Sequence, residues 1–202
     1  MTEFREFPKI GRYSREVWVT EKIDGTNSGV FISEDGSEFL TSSRTRWITP
    51  EDDNYGFSRW AHEHKQELMK LGPGMHFGEW WGSGIQRKYG LTGNDKRWSL
   101  FNVQRWCHDW ETPKQIKCGD PRIVKFQEKL PICCGLVPVL WQGKMDDLDM
   151  DAIILDLKTH GSYAVDGWMK PEGVVLYHTA GGFGLKKTIE KDDEPKSKGQ
   201  SA

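Results

Sequence analysis

The chain has 202 residues, of which 36% are hydrophobic and 29% charged, with a formal net charge of −2. That length allows one domain with a real core or two very small ones, and the composition excludes a fibrous protein. The charge excludes a globally basic polyanion binder, so any contact with a polyanion has to come from a local patch. The first seven residues carry mixed charge around two phenylalanines and lack the apolar core of a signal peptide. No apolar run approaches bilayer length, so a cytoplasmic protein with no membrane partner is expected.

In chain order, Val17-Trp18-Val19-Thr20 favours a strand, and Asp24-Gly25 supplies the turn that ends it. Residues 29–32 and 37–41 flank Gly36 and read as a hairpin. Phe57, Trp60, Ala61, Leu68 and Leu71 share one helical face over 57–71, which stops at Gly72-Pro73-Gly74. Short β-rich runs follow at 75–81, 98–103 and 136–141. Residues 145–160 predict a second amphipathic helix, acidic at its start and closed by Gly161. Two last strands, 173–178 and 183–189, precede a polar tail, 190–202, which is expected to be disordered. The pattern predicts an α+β fold with one folded unit, 1–189, followed by that tail.

Several features carry little. Cys107, Cys118, Cys133 and Cys134 form no Cys-x-x-Cys pair, and free thiols are expected. His62 and His64 are two apart, whereas a helical zinc pair needs four, so they read as a solvated helix face. Residues 181–188 fall one short of a phosphate-binding loop and are followed by a polar tail where that motif needs a helix. Ten tryptophans are an excess; most belong in a core, and an exposed minority could stack on bases.

The chemistry begins at Glu21-Lys22-Ile23-Asp24-Gly25-Thr26-Asn27, where one lysine stands at the rim of a sheet beside carboxylates and an amide. A free lysine has a pKa of roughly 10.4, and lowering it by burial or neighbouring positive charge makes a covalent nucleophile. Four further segments follow: Phe77-Gly78-Glu79-Trp80-Trp81-Gly82-Ser83-Gly84-Ile85-Gln86, Leu100-Phe101-Asn102-Val103, Glu172-Gly173-Val174-Val175 and Gly184-Leu185-Lys186-Lys187. Singly they read as strand-end acids, a core aromatic and edge lysines. Together they supply a nucleophile, a stacking ring, two carboxylates and phosphate-binding lysines, a complete set for nucleotidyl transfer.

In this order the segments resemble the covalent nucleotidyltransferase superfamily of ATP-dependent ligases and capping enzymes, and are most similar to its phage RNA ligase branch. The resemblance spans residues 17–189, and the Phe-Gly-Glu…Gly-x-Gly-Ile-Gln segment points most specifically to RNA ligases. It implies an adenylyltransferase or ATP-grasp-like ligase domain, in which antiparallel sheets form a nucleotide cleft with helices packed outside. It also implies ATP, Mg2+ (or Mn2+), and RNA ends or nicks as substrate, with DNA and hybrid ends as alternatives. Lys22 would attack the α-phosphate and carry AMP, with Asp24 and Lys186 in the catalytic set. Glu21, Asn27, Arg44, Glu79, Phe101, Lys186 and Lys187 would bind the nucleotide, with Glu79 on the ribose and Phe101 on adenine. Glu172 would hold metal. Arg46, Arg87, Lys88, Lys96 and Arg97 are candidates for nucleic-acid contact.

One departure is clear from the sequence. The last motif usually reads Lys-x-Lys, whereas Lys186 and Lys187 are adjacent and should face opposite ways, with Thr188 in the second position. Related ligases also carry a further domain that grips nucleic acid, and a partner protein could supply that grip. Two other readings stand beside ligation: a nucleotide-binding module that joins nothing, and a capping-type guanylyltransferase.

Overall fold

A computed structural model describes residues 4, 6–106, 130–190 and 192. Strand β1 (Glu16–Lys22) is buried on both faces, as its β-branched and aromatic run dictates, and sits inside a four-stranded antiparallel sheet. The order is β10-β9-β1-β8, with β8 (Val139–Lys144), β9 (Gly173–His178) and β10 (Phe183–Thr188). Past Lys22 the chain turns through Ile23, Asp24 and Gly25 and enters a second sheet. That sheet runs β4-β3-β2-β5-β6-β7, with β2 (Thr26–Ile32), β3 (Phe39–Ser43), β4 (Trp47–Ile48), β5 (Gly74–Gly82), β6 (Lys96–Leu100) and β7 (Gly135–Leu136). All its pairings are antiparallel except β6 with β7.

Three apolar clusters fix the layers. On the first sheet's outer face, Val17, Val19, Val174 and Leu176 meet Ile154 and Leu157 of helix α4 (Met150–His160). On the second sheet's outer face, Val30, Ile32, Trp80, Trp98 and Leu100 pack with Phe57, Ala61 and Leu68 of α1 (Phe57–Glu63) and α2 (Lys65–Leu68). Between the sheets lie Trp18, Ile23, Trp81, Tyr89, Val137 and Val139. The expected α+β architecture, antiparallel sheets with helices packed outside, is observed, with the β6–β7 pair as the one parallel exception among the described residues.

The hairpin forms at Gly36, whose φ is 71°. Four boundaries move, and the first splits a strand. The run expected over 136–141 divides between β7, which ends at Leu136 in the second sheet, and β8, which begins at Val139 in the first. The helix expected over 57–71 breaks at His64 into α1, α2 and a 3-10 turn (Met69–Leu71), then stops at Gly72. The helix expected from 145 starts at Met150, because Asp149 Oδ1 accepts the Ala152 amide at 2.9 Å and caps it there. The strand expected over 98–103 ends at Leu100, and a short helix α3 (Val103–Trp106) begins. Cys107 and Cys118, and the tail apart from residues 190 and 192, lie outside the described residues. Among the described residues no helix is long and apolar enough to cross a membrane.

Candidate active site

The turn from β1 to β2 carries Lys22 from one sheet to the other, and Gly25 allows it. A Cβ on Gly25 would stand 2.4 Å from the Trp80 carbonyl oxygen and 2.7 Å from Trp81 Cβ, so no side chain fits against β5. That close approach lets Glu79 of β5 grip the turn. Its Oε1 accepts the Gly25 amide at 2.9 Å, and its Oε2 accepts Asn27 Nδ2 at 3.2 Å. Glu79 is 8% exposed, and burial pushes its carboxyl up to about 7 against the opposing pull of the Lys22 charge and the Gly25 amide.

From the other sheet, Glu172 reaches the same point. Its Oε2 accepts from Lys22 Nζ at 2.5 Å, and both side chains are largely shielded from solvent. Gly173, directly after it, faces Lys22 across β9 and β1. A Cβ there would stand 2.2 Å from the Lys187 carbonyl, so glycine is what lets β9 and β10 close behind Glu172. Lys22, Glu79 and Glu172, which lie far apart along the chain, thus converge where the sheets meet. Asp24 is held by Arg87, whose Nε lies 3.2 Å from Asp24 Oδ2.

Strand alternation sorts the remaining candidates. Lys186 pairs with Val175, which pairs with Thr20, so Lys186 shares the face of Lys22 two strands away, roughly 10 Å. It is exposed. Lys187 pairs with Val174, opposite Glu21, and turns to the outer face, where its Nζ bonds Asp151 of α4 at 3.0 Å. The structure does not bring Lys187 to the cleft, and Thr188 takes the inward position beside Gly173. Glu21 also faces outward. It accepts Ser162 Oγ at 2.6 Å and the amides of Tyr163 and Ala164 at 2.8 and 3.1 Å. Burial pushes it, too, up to about 7. Glu21 therefore anchors the loop leading to Glu172 from behind, and is not among the groups that surround Lys22.

On the second sheet, Phe101 follows β6 on the same face as Glu79 and is partly exposed. Arg44, at the turn after β3, is exposed and unpaired among the described residues. The five proposed nucleic-acid contacts are mostly occupied elsewhere. Arg46 pairs with Asp52, Arg97 pairs with Asp95 and lies over Trp81, and Lys96 donates to the Tyr55 carbonyl at 2.8 Å. Arg87 holds Asp24 and approaches Glu190 at 3.8 Å. Only Lys88, of the five, is exposed without a side-chain partner among the described residues.

Sequence reasoning missed Tyr89. Its fully buried ring packs on Trp81 and Trp168. Its hydroxyl donates to the Lys22 carbonyl at 3.0 Å and accepts the Glu172 amide at 3.2 Å, tying the backbones of the two closest site residues together. Burial raises the phenol's pKa well above its ordinary value, so it stays a donor. Gln86, Lys88 and Tyr89, none of them glycine, all have positive φ (42°, 61° and 47°). Such backbone strain concentrates at functional sites. Here it turns Arg87 toward Asp24 and Tyr89 inward. The Gly-Ser-Gly loop flagged in the sequence opens this stretch, but its partners lie 67 and 83 residues from Tyr89 and leave no local signal.

Comparison with known proteins bears on the family and the fold. The RNA ligase family model matches residues 15–191. No curated protein matches the sequence. Among solved structures, a mutant Naegleria gruberi RNA ligase with ATP and Mn superposes with a TM-score of 0.58 at 17% identity, covering 88% of this chain and 51% of that one. A mutant of the same ligase without ligand gives 0.57 at 20% identity, over 87% and 50%. The form with pyrophosphate gives 0.56 at 20%, over 87% and 50%. At this identity the solved structures speak for the fold alone, and this chain spans about half of each. The family model covers most of the sequence, including every segment that meets at Lys22, and the chain belongs to the RNA ligase family.

Proposed function

We propose that this chain is the nucleotidyltransferase part of an ATP-dependent RNA ligase that works through a covalent lysyl-AMP. The observation that carries this reading is the meeting of Lys22, Glu172 and Glu79 at the junction of the two sheets, each from a different family segment. ATP and a divalent metal enter because the Naegleria ligase was solved with ATP and Mn.

The carboxylates suit a hard cation. Among the described residues no three His, Cys, Asp or Glu side chains form a closed metal site. One carboxylate supplemented by phosphate oxygens and water is how magnesium is commonly held. Glu172 would provide that carboxylate, and the ion's charge would neutralise the phosphates. Lys22 Nζ is paired with Glu172, and it attacks as the neutral amine.

The neutral amine then attacks the α-phosphorus of ATP. A P–N bond forms, the bond to the β-phosphate oxygen breaks, and pyrophosphate leaves. A 5′-phosphate oxygen of RNA next displaces Lys22, which takes back a proton, and AMP becomes linked to the RNA through a pyrophosphate bond. A 3′-hydroxyl then attacks the RNA 5′-phosphorus, loses its proton and releases AMP. Glu79 would hold the ribose, Phe101 would stack on adenine, and Lys186 would hold the α-phosphate.

The test is a 5′-labelled, 5′-phosphorylated RNA incubated with ATP and magnesium. Adenylylated RNA followed by joined product, absent with Lys22→Ala, supports ligation. Lysyl-nucleotide with GTP and none with ATP would favour a capping-type guanylyltransferase. Nucleotide binding with no covalent product from either would leave a binding module and contradict the proposal.

A further inference from the structure

Among the described tryptophans Trp47 alone is exposed, at 55%. Its place in the sheet is specific. Trp47 pairs with Ser42, Ser42 with Gly29, and Gly29 with Phe77. The Phe101 amide donates to the Phe77 carbonyl at 3.0 Å and completes the row. One line of paired residues therefore crosses the second sheet from the Phe101 corner to the outer edge. By alternation it lies on the face that carries Asn27 and Glu79.

The row is aromatic and exposed at its two ends, and its middle residues, Gly29 and Ser42, are buried. Phe77 is 53% exposed and Phe101 39%, and the Phe31 ring stands edge-on to Trp47 with centroids 6.2 Å apart. At its centre Gly29 has no side chain, and its neighbours close over it: a Cβ there would stand 2.5 Å from Met75 Cε and 2.7 Å from Ser42 Oγ. The turn just before Trp47 adds charge: Arg46 is neutralised by Asp52, but Arg44 is exposed and unpaired among the described residues.

Exposed rings in a line, with an unpaired guanidinium beside them, are the elements that single-stranded nucleic acid binds. Bases stack on the rings whatever their sequence, and phosphates follow the cations. Building on the ligase reading, we infer that Trp47 and Phe31 form a stacking platform for the terminal bases of a single-stranded RNA end, with Arg44 on its phosphate. The row begins where adenine would stack on Phe101 and runs outward on the same face. An RNA end lying along it therefore arrives at the nucleotide without crossing the sheet. Trp47 touches none of the groups around Lys22, so RNA grip and lysine chemistry are separable.

The experiment measures fluorescence anisotropy of a labelled, 5′-phosphorylated oligoribonucleotide with wild type, Trp47→Ala and Trp47→Phe, alongside labelling of each protein with α-labelled ATP. Trp47→Ala is expected to weaken RNA binding about tenfold, within the range for losing one base stack. Trp47→Phe should retain most of the affinity, and both variants should label like wild type. RNA binding unchanged in Trp47→Ala, or absent in wild type, would overturn the platform. So would a dimer in solution that Trp47→Ala dissolves, which would make this face a protein interface. Failure of wild type to label while Trp47→Ala still weakens RNA binding would overturn the lysyl-AMP reading and leave the platform standing.

Discussion

Glu21 and Glu79 flank Lys22, are both buried, and are both pushed up to about 7 by that burial, yet they do opposite jobs. Glu79 stands on the cleft side and grips the turn that presents Lys22. Glu21 stands on the back of the same strand and holds the 162–164 loop. The same division separates Lys186 from Lys187. A perturbed carboxylate next to a nucleophile is a good pointer to function. The strand's two-residue period decides which side it serves.

The sharpest break between front and back is expected from alanine substitutions at Lys22 and Glu172. Each should abolish covalent labelling by α-labelled ATP, whereas Glu21→Gln should label at a rate close to wild type on the same denaturing gel. Labelling lost in all three would erase the distinction.

Next in size come the two lysines of β10. Lys186→Ala should slow labelling on the order of 100-fold, the usual cost of removing one donor to developing phosphate charge. Lys187→Ala should change it little, since its pair with Asp151 is solvent-exposed and worth little. Single-turnover rates at saturating ATP decide this.

Tyr89 tests whether the front residues Lys22 and Glu172 are held together through their backbones. Tyr89→Phe keeps the ring on Trp81 and Trp168 but removes the hydroxyl between Lys22 and Glu172. The labelling rate should fall roughly 10- to 100-fold, as small misplacements of reacting groups do. Stability should fall by only about 1–2 kcal/mol, the cost of unsatisfied buried groups. A loss of stability with an unchanged rate would make Tyr89 a core residue only.

The last comparison is in the dependence on pH. A carboxyl whose folded pKa is raised binds its proton more tightly when folded. Its contribution to stability is complete below its ordinary value of 4.5 and is lost as pH rises through about 7. Wild-type stability should therefore decline between about pH 5 and 8. Glu21→Gln should remove a share of that decline of at most about 3 kcal/mol. On the front, Glu79 ionises over the same range, so labelling should rise through about pH 7 and lose that inflection in Glu79→Gln. Chemical denaturation and labelling rates across pH measure the two sides separately.

Much of the frame was legible in the chain. The β1 run, the Asp24-Gly25 turn, the Gly36 hairpin and the Gly72 stop are local features, and each stands where its residues put it. The opposed directions of Lys186 and Lys187 followed from strand alternation alone. The same rule applied to Glu21 and Lys22 would have turned Glu21 away from the cleft, but the motif drew it in. The basic candidates failed for another reason: sequence counts charges but not the carboxylates that fold beside them, as Asp52 does on Arg46 and Asp95 on Arg97. Tyr89 was invisible because both its partners, Lys22 and Glu172, lie far from it along the chain. Trp47 was foreseen only as a class, the exposed minority of tryptophans, since exposure depends on which strand closes the edge.

The central claim is that the front of β1 carries the nucleophile. The most direct test is to incubate the protein with ATP and magnesium, digest it, and locate the AMP adduct by tandem mass spectrometry. The account predicts AMP on the peptide containing Lys22, at Lys22, with none in Lys22→Ala. An adduct on Lys186, Lys187 or any other residue, or labelling that survives in Lys22→Ala, would contradict it.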